Sequence, residues 1–241
     1  MIGAVSISGS CARFVLDAGK VNGIGREEIG EMEALLAGCE RRFPEPIRLL
    51  SIEISPGGKR IFCAGANQKE RESWTVGEKL AHIRHQRGVI HRLRQIPQWV
   101  VCCVDGLAIG LGVEICLAAD FVLSTRRGGF SFPERGLGII PGAGGYAWAH
   151  HLAVRREEAV KFVESGAELD GDHALRLGIV DAVVDEAQDF QLQLSCMAEY
   201  LSTISPEDQA ARKRARLASV NFREIFDEEQ AAYEACLVRN G

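Results

Sequence analysis

The 241-residue chain is predicted to be a mixed α/β protein of recurrent strand–strand–helix modules that ends in an all-helical tail. Three observations carry that expectation. Short β-branched or alternating apolar runs recur at residues 12–16, 47–54, 99–104, 121–124 and 179–184. Helical spacing fills the intervals, as in 26–42, where Ile29, Met32, Leu35, Leu36 and Cys39 line one stripe. From residue 187 onward the pattern is helical throughout. The expected division is a core over 1–186 and a helical region over 187–241.

Taken in order, the strand at 12–16 precedes the helix at 26–42, which Pro44 and Pro46 stop because proline cannot continue the hydrogen-bond ladder. After the strand at 47–54, Ser55-Pro56-Gly57-Gly58 reads as a turn, and residues 60–63 lead into Ala64-Gly65-Ala66. Residues 69–95 are polar and mostly helical, with Gly77 and Gly88 as weak points and a mobile start. A fully apolar strand at 99–104 runs into Asp105-Gly106, then an apolar helix at 110–119 and a strand at 121–124. Short helices are expected at 143–151, 155–165 and 170–177, a last strand at 179–184, and a break in the tail at Pro206.

Composition narrows the function. An apolar fraction of 46% and a charged fraction of 25% are those of an ordinary globular protein. The net charge of −5 disfavours a nucleic-acid binder, and the basic runs at 126–127 and 212–216 read as solvated faces. The eight cysteines include no C-x-x-C pair and sit mostly in apolar runs, so they read as buried thiols of a reducing compartment. His82 and His85 share a helical face without a third ligand, and no metal site is expected. Residues 1–13 lack a signal-peptide pattern, which makes a cytoplasmic location the expectation. Residues 99–123 are the longest apolar region, but Asp105, Glu114, Asp120 and four glycines argue against a membrane span.

Two glutamates stand out. Glu114 lies in Gly110-Leu111-Gly112-Val113-Glu114-Ile115-Cys116-Leu117, in the first turn of a helix whose neighbouring positions are apolar or small. A carboxylate at a helix start gains only ~0.3–1 kcal/mol from the dipole, whereas burying it unpaired costs several kcal/mol, so a function is the better explanation. Glu134 follows Pro133, which opens a short helix; on its own it reads first as a surface cap paired with Arg135. Ala64-Gly65-Ala66 and the start of the Leu111 helix are turns whose exposed N–H groups suit an oxyanion, although small-residue turns are common. Residues 142–147 fit G-x-G-x-x-A, but a dinucleotide fingerprint belongs after the first strand of a βαβ unit, not here.

Together, Phe62-Cys63-Ala64-Gly65-Ala66-Asn67-Gln68-Lys69-Glu70, the 106–120 run and the 130–145 run resemble the crotonase (enoyl-CoA hydratase/isomerase) superfamily. Lys20-Val21-Asn22 and Leu177-Gly178-Ile179-Val180-Asp181 resemble its early and late motifs. The resemblance implies a crotonase-type spiral of ββα modules, with a helical C-terminal region that packs into homotrimers or dimers of trimers. It implies an acyl-CoA thioester substrate and no separate cofactor, coenzyme A being part of that substrate. By position, Ala66 and Leu111 would supply the oxyanion hole. Lys20, Val21, Ala64, Asn67, Gln68 and Lys69 would line the CoA path. Hydratases of the family carry glutamates at both catalytic positions, where Glu114 and Glu134 fall; enoyl isomerases usually retain one acid. The implied reaction is water addition to a 2-enoyl-CoA, with Glu114 as base, Glu134 protonating the α-carbon and the Gly142 N–H positioning the water. The alternatives are dehydration of a branched 3-hydroxyacyl thioester, enoyl isomerisation, or a non-catalytic or RNA-binding relative.

Four residues depart from the family pattern: Asn67 stands for Asp, Leu111 for Gly, Phe132 for a polar residue and Tyr146 for Thr. Phe132 and Tyr146 are therefore expected to suit the acyl pocket to an unusual or aromatic substrate.

Overall fold

The computed structural model describes residues 2–43, 47–55, 60–218 and 222–240. Pro44, Pro46 and the turn residues Pro56, Gly57 and Gly58 lie outside the described residues. Strands β1 (Gly3–Ser8) and β2 (Cys11–Leu16) form an antiparallel hairpin ahead of helix α1 (Arg26–Arg41). β1 was not expected: five of its six residues are exposed, so no buried face marks it in the sequence.

Three modules follow. The first holds β3 (Leu49–Ile54), β4 (Ile61–Cys63), α2 (Gln68–Arg71) and α3 (Val76–Gln95). The second holds β5 (Trp99–Val104), β6 (Leu107–Ile109) and α4 (Leu111–Ala118). The third holds β7 (Phe121–Thr125), β8 (Gly129–Ser131), a 3₁₀ turn (Pro133–Leu137), α5 (Gly145–His151) and α6 (Arg156–Ser165). The chain continues through β9 (Glu168–Asp170), α7 (Gly171–Leu177), β10 (Ala182–Val184), a 3₁₀ turn (Ala187–Asp189), α8 (Phe190–Ser202), α9 (Pro206–Ala218) and α10 (Phe222–Asn240).

The first strand of each module enters a six-stranded sheet in the order β1-β2-β3-β5-β7-β10. The second enters a four-stranded sheet in the order β4-β6-β8-β9. Each module thus adds one parallel step to both sheets, and the chain advances as a spiral. β6, β8 and β9 have three residues each, too few to show a period, and were not foreseen as strands.

The large sheet is covered on both faces, as its near-continuous apolar strands require. One side carries the main core; on the other, Phe190, Leu194 and Leu201 of α8 pack on Leu49, Val101, Cys103 and Leu123. The single helix expected over 69–95 is split. Asn67 caps α2, and Thr75 and Glu78 form a reciprocal capping box that starts α3. The basic run at 212–216 is not wholly a solvated face either: Lys213 is buried and pairs with Asp120 at 2.6 Å. All eight cysteines are free thiols; five are buried and Cys196 is exposed. His82 is buried edge-on against Trp74, and desolvation pushes it down to about 4. Among the described residues no helix is long and apolar enough to cross a membrane.

Candidate active site

Two close approaches assemble the site. Gly65 has φ +84°, and a Cβ there would lie 2.8 Å from the Ile109 carbonyl and 3.4 Å from the Leu111 nitrogen. Gly110, the residue before α4, has φ +53°; a Cβ on it would lie 2.5 Å from Glu134 Oε1. Only glycine takes these backbone conformations cheaply while leaving the room. The Ala64–Ala66 turn therefore abuts the start of α4, and Glu134 reaches the same point from the third module.

Neither predicted oxyanion N–H has a backbone acceptor among the described residues. Leu111 is the first residue of α4, where an N–H has no intrahelical acceptor. Ala66 forms a parallel bridge with Ile24, which donates to Gly65 O and accepts from Asn67 N–H, each at 2.8 Å. That alternation turns the Ala66 N–H away from the bridge. The Leu111 side chain packs into the main core, and the residue also lines the cleft.

Glu114 is 3% exposed, and its Oε1 accepts from the Ala143 N–H at 2.6 Å and the Gly145 N–H at 3.3 Å. Burial, with Glu229 and Glu134 nearby, pushes it up to about 8 despite those two donors. Glu134, in the first turn of the 3₁₀ segment, is 9% exposed, and its Oε2 has no partner among the described residues. Desolvation pushes it up to about 7. The surface-cap reading of Glu134 is overturned: Arg135 turns to the Glu164 carbonyl instead.

Ala64, Ala66, Gln68, Leu111, Glu114, Glu134 and Gly142 all line one cleft. Lys20, Val21, Asn67 and Lys69 are outside its lining. Val21 is nevertheless adjacent, since its carbonyl accepts from the Ala64 N–H at 3.0 Å. Asn67 Oδ1 is occupied in capping α2, where it accepts from the Glu70 N–H at 3.3 Å. Gly142 gives its carbonyl to Arg87, and its N–H has no acceptor among the described residues. The expectation for the acyl pocket is corrected. Phe132 is fully buried against Phe162, and the Tyr146 hydroxyl bonds Glu164 instead of entering the cleft.

Three side chains of this region were missed in the sequence. Glu229 and Tyr233 come from α10, one helical turn apart, a spacing that a mixed polar helix does not advertise. Buried Glu229 accepts from Gly144 N–H at 2.6 Å and Ala147 N–H at 3.0 Å, and lies 3.6 Å from Arg87. Within the run that fits G-x-G-x-x-A, Ala143, Gly144, Gly145 and Ala147 thus direct their N–H groups at the protein's own carboxylates. The Tyr233 ring packs on Gly142 and lines the cleft. Arg71, the last residue of α2, is buried in the same wall.

Such an arrangement has the groups to polarise a carbonyl and to move protons through two carboxyls. The family model for enoyl-CoA hydratase/isomerase matches residues 16–233. An enoyl-CoA isomerase/hydratase of Mycosarcoma maydis is 31% identical, over 73% of this chain and 65% of its own length. The mitochondrial methylglutaconyl-CoA hydratase of Homo sapiens is also 31% identical, over 66% of this chain and 46% of its own. The chain thus spans about half to two thirds of these curated relatives. The solved enoyl-CoA hydratase of Bacillus anthracis superposes with a TM-score of 0.83 at 24% identity, covering 97% of this chain and 90% of the other. That of Bacillus halodurans gives 0.87 at 18% identity, covering 98% and 95%. With the ββα spiral, the cleft and the matched residues in agreement, the chain belongs to the enoyl-CoA hydratase/isomerase family.

Proposed function

We propose that the protein is an enoyl-CoA hydratase, adding water reversibly to a 2-enoyl-CoA to give the 3-hydroxyacyl-CoA, with no cofactor beyond the coenzyme A of its substrate. The observation that carries this reading is two buried carboxyls, Glu114 and Glu134, in one cleft beside two open N–H groups. The thioester oxygen accepts from the Ala66 and Leu111 N–H groups, which draws electrons from the β-carbon and stabilises enolate-like charge at the oxygen. Water held between the carboxyls loses a proton to Glu114 as its oxygen bonds the β-carbon. Glu134 delivers a proton to the α-carbon, and the Gly142 N–H orients the water. Burial raises both carboxyls toward neutrality, Glu114 to about 8 and Glu134 to about 7, so the pair can hold and exchange a proton near neutral pH. Lys20, Val21, Ala64, Asn67, Gln68 and Lys69 are assigned to the CoA path, supported by the Val21–Ala64 contact. The helical region over 187–241 is assigned to assembly into a trimer or a dimer of trimers, supported by exposed Leu192, Tyr200 and Val238.

The test offers the purified protein short, medium and aryl 2-enoyl-CoA esters, with the matching 3-enoyl esters to detect isomerisation. Hydration is expected, with Glu114→Gln and Glu134→Gln each lowering kcat by ~10²–10⁴-fold. Tight CoA-ester binding without hydration of any ester would overturn the reading, as would a fully active Glu114→Gln.

A further inference from the structure

Arg71 is a buried cation whose protein partners are all neutral. It is 8% exposed, its Nε has no acceptor, and no carboxylate lies within ion-pair reach among the described residues. One Nη donates to Gln86 Oε1 at 3.4 Å, and the Tyr233 hydroxyl lies against the guanidinium. Burying a charge without a counter-ion costs several kcal/mol, which an anion from outside the chain would offset. Arg71 lines both the inner cleft with Glu114 and Glu134 and the wider mouth it opens into.

We propose that Arg71 binds a carboxylate at the far end of the acyl chain, so that the preferred substrates are short enoyl-CoA esters ending in a carboxylate. The inference rests on the hydratase reading above and names its substrate class. Arg71 stands five residues after Ala66, about one helical turn beyond the oxyanion turn. Tyr233, its neighbour, packs on Gly142, next to the residue whose N–H holds Glu114. A group bound at Arg71 is therefore close to the reacting carbons. The CoA diphosphate is separated from them by the whole pantetheine arm, which leaves the acyl tail as the source of the anion. A guanidinium suits this role because its planar fork pairs with both oxygens of a carboxylate.

The experiment measures binding of saturated esters, which cannot be hydrated: succinyl-, glutaryl- and adipyl-CoA against butyryl-, pentanoyl- and hexanoyl-CoA. Wild-type protein is expected to bind at least one carboxylated ester about tenfold or more tighter than the neutral ester of equal length, since a charged pairing contributes upward of 1.4 kcal/mol. Arg71→Met is expected to bring that ratio near one, with Arg71→Lys in between. A wild-type ratio near one at every length overturns the proposal without needing a variant. So does a ratio that survives in Arg71→Met, including the case where both ester classes weaken together because the arginine serves the CoA phosphates. Failure of all 2-enoyl-CoA esters to hydrate would sink the hydratase reading instead and leave the binding ratios to decide Arg71.

Discussion

Glu114 is held in place by the Ala143 and Gly145 N–H groups, yet it remains a buried acid with a raised pKa. A carboxyl with a folded pKa of about 8, against 4.5 ordinarily, binds its proton more tightly when folded. Between those values stability falls as pH rises, because the folded state must keep the proton or ionise a buried group. Glu114→Gln keeps an acceptor for both N–H groups and removes the ionisation. Its stability relative to wild type is expected to rise by roughly 1–3 kcal/mol from pH 5 to pH 8, read by urea unfolding at both values. A gap independent of pH would show that Glu114 does not carry the titration. The activity profile should be a narrow bell with limbs at about 7 and about 8, belonging to the carboxyl pair and not to either residue.

Between elements, buried polar contacts set the docking of the tail. Asp120, at the junction of α4 and β7, accepts from the Val100 N–H at 2.8 Å and pairs with Lys213 of α9 at 2.6 Å. Arg216 closes on its other oxygen. Lys213→Met leaves a buried carboxylate short of one partner and is expected to destabilise by roughly 3 kcal/mol in denaturant titration. A loss below about 0.5 kcal/mol would mean that Arg216 suffices, the scale of an exposed pair. The segment ahead of α5 shows the same logic nearer the chemistry: Glu114 takes the N–H groups of Ala143 and Gly145, and Glu229 those of Gly144 and Ala147. Two carboxylates from distant parts of the chain thereby grip one turn.

At the scale of the molecule, α10 returns to the cleft formed by the three modules. Removal of residues 222–241 withdraws Glu229 and Tyr233 together. The truncated protein is expected to retain the circular-dichroism signature of the spiral while kcat/KM falls by about 100-fold or more, the effect of slight misplacement in a positioned site. Unchanged kcat/KM would separate α10 from the chemistry. Sedimentation of the full chain is expected to report three or six copies; a stable monomer at micromolar concentration would remove the assembly proposal.

Much of the fold was legible in the sequence. The strands that became β2, β3, β5 and β7 are buried on one or both faces and so carry continuous or alternating apolar runs. Helix α1 shows its stripe for the same reason. β1 and the three-residue strands β6, β8 and β9 were hidden, because their pairing comes from backbone ladders and not from a buried pattern. Glu114 could be singled out because a carboxylate among apolar neighbours is costly wherever the chain folds. By itself, then, the sequence determined the α/β class, the succession of modules and one catalytic candidate from its environment, with the others reached by resemblance. Only the tertiary structure decided that Glu134 is buried, that Phe132 belongs to the core, that Arg71 and Tyr233 meet at the cleft and that Glu229 holds the turn beside it. Burial and ion pairing of these residues depend on contacts between segments up to some 160 positions apart, and no local pattern encodes such distances.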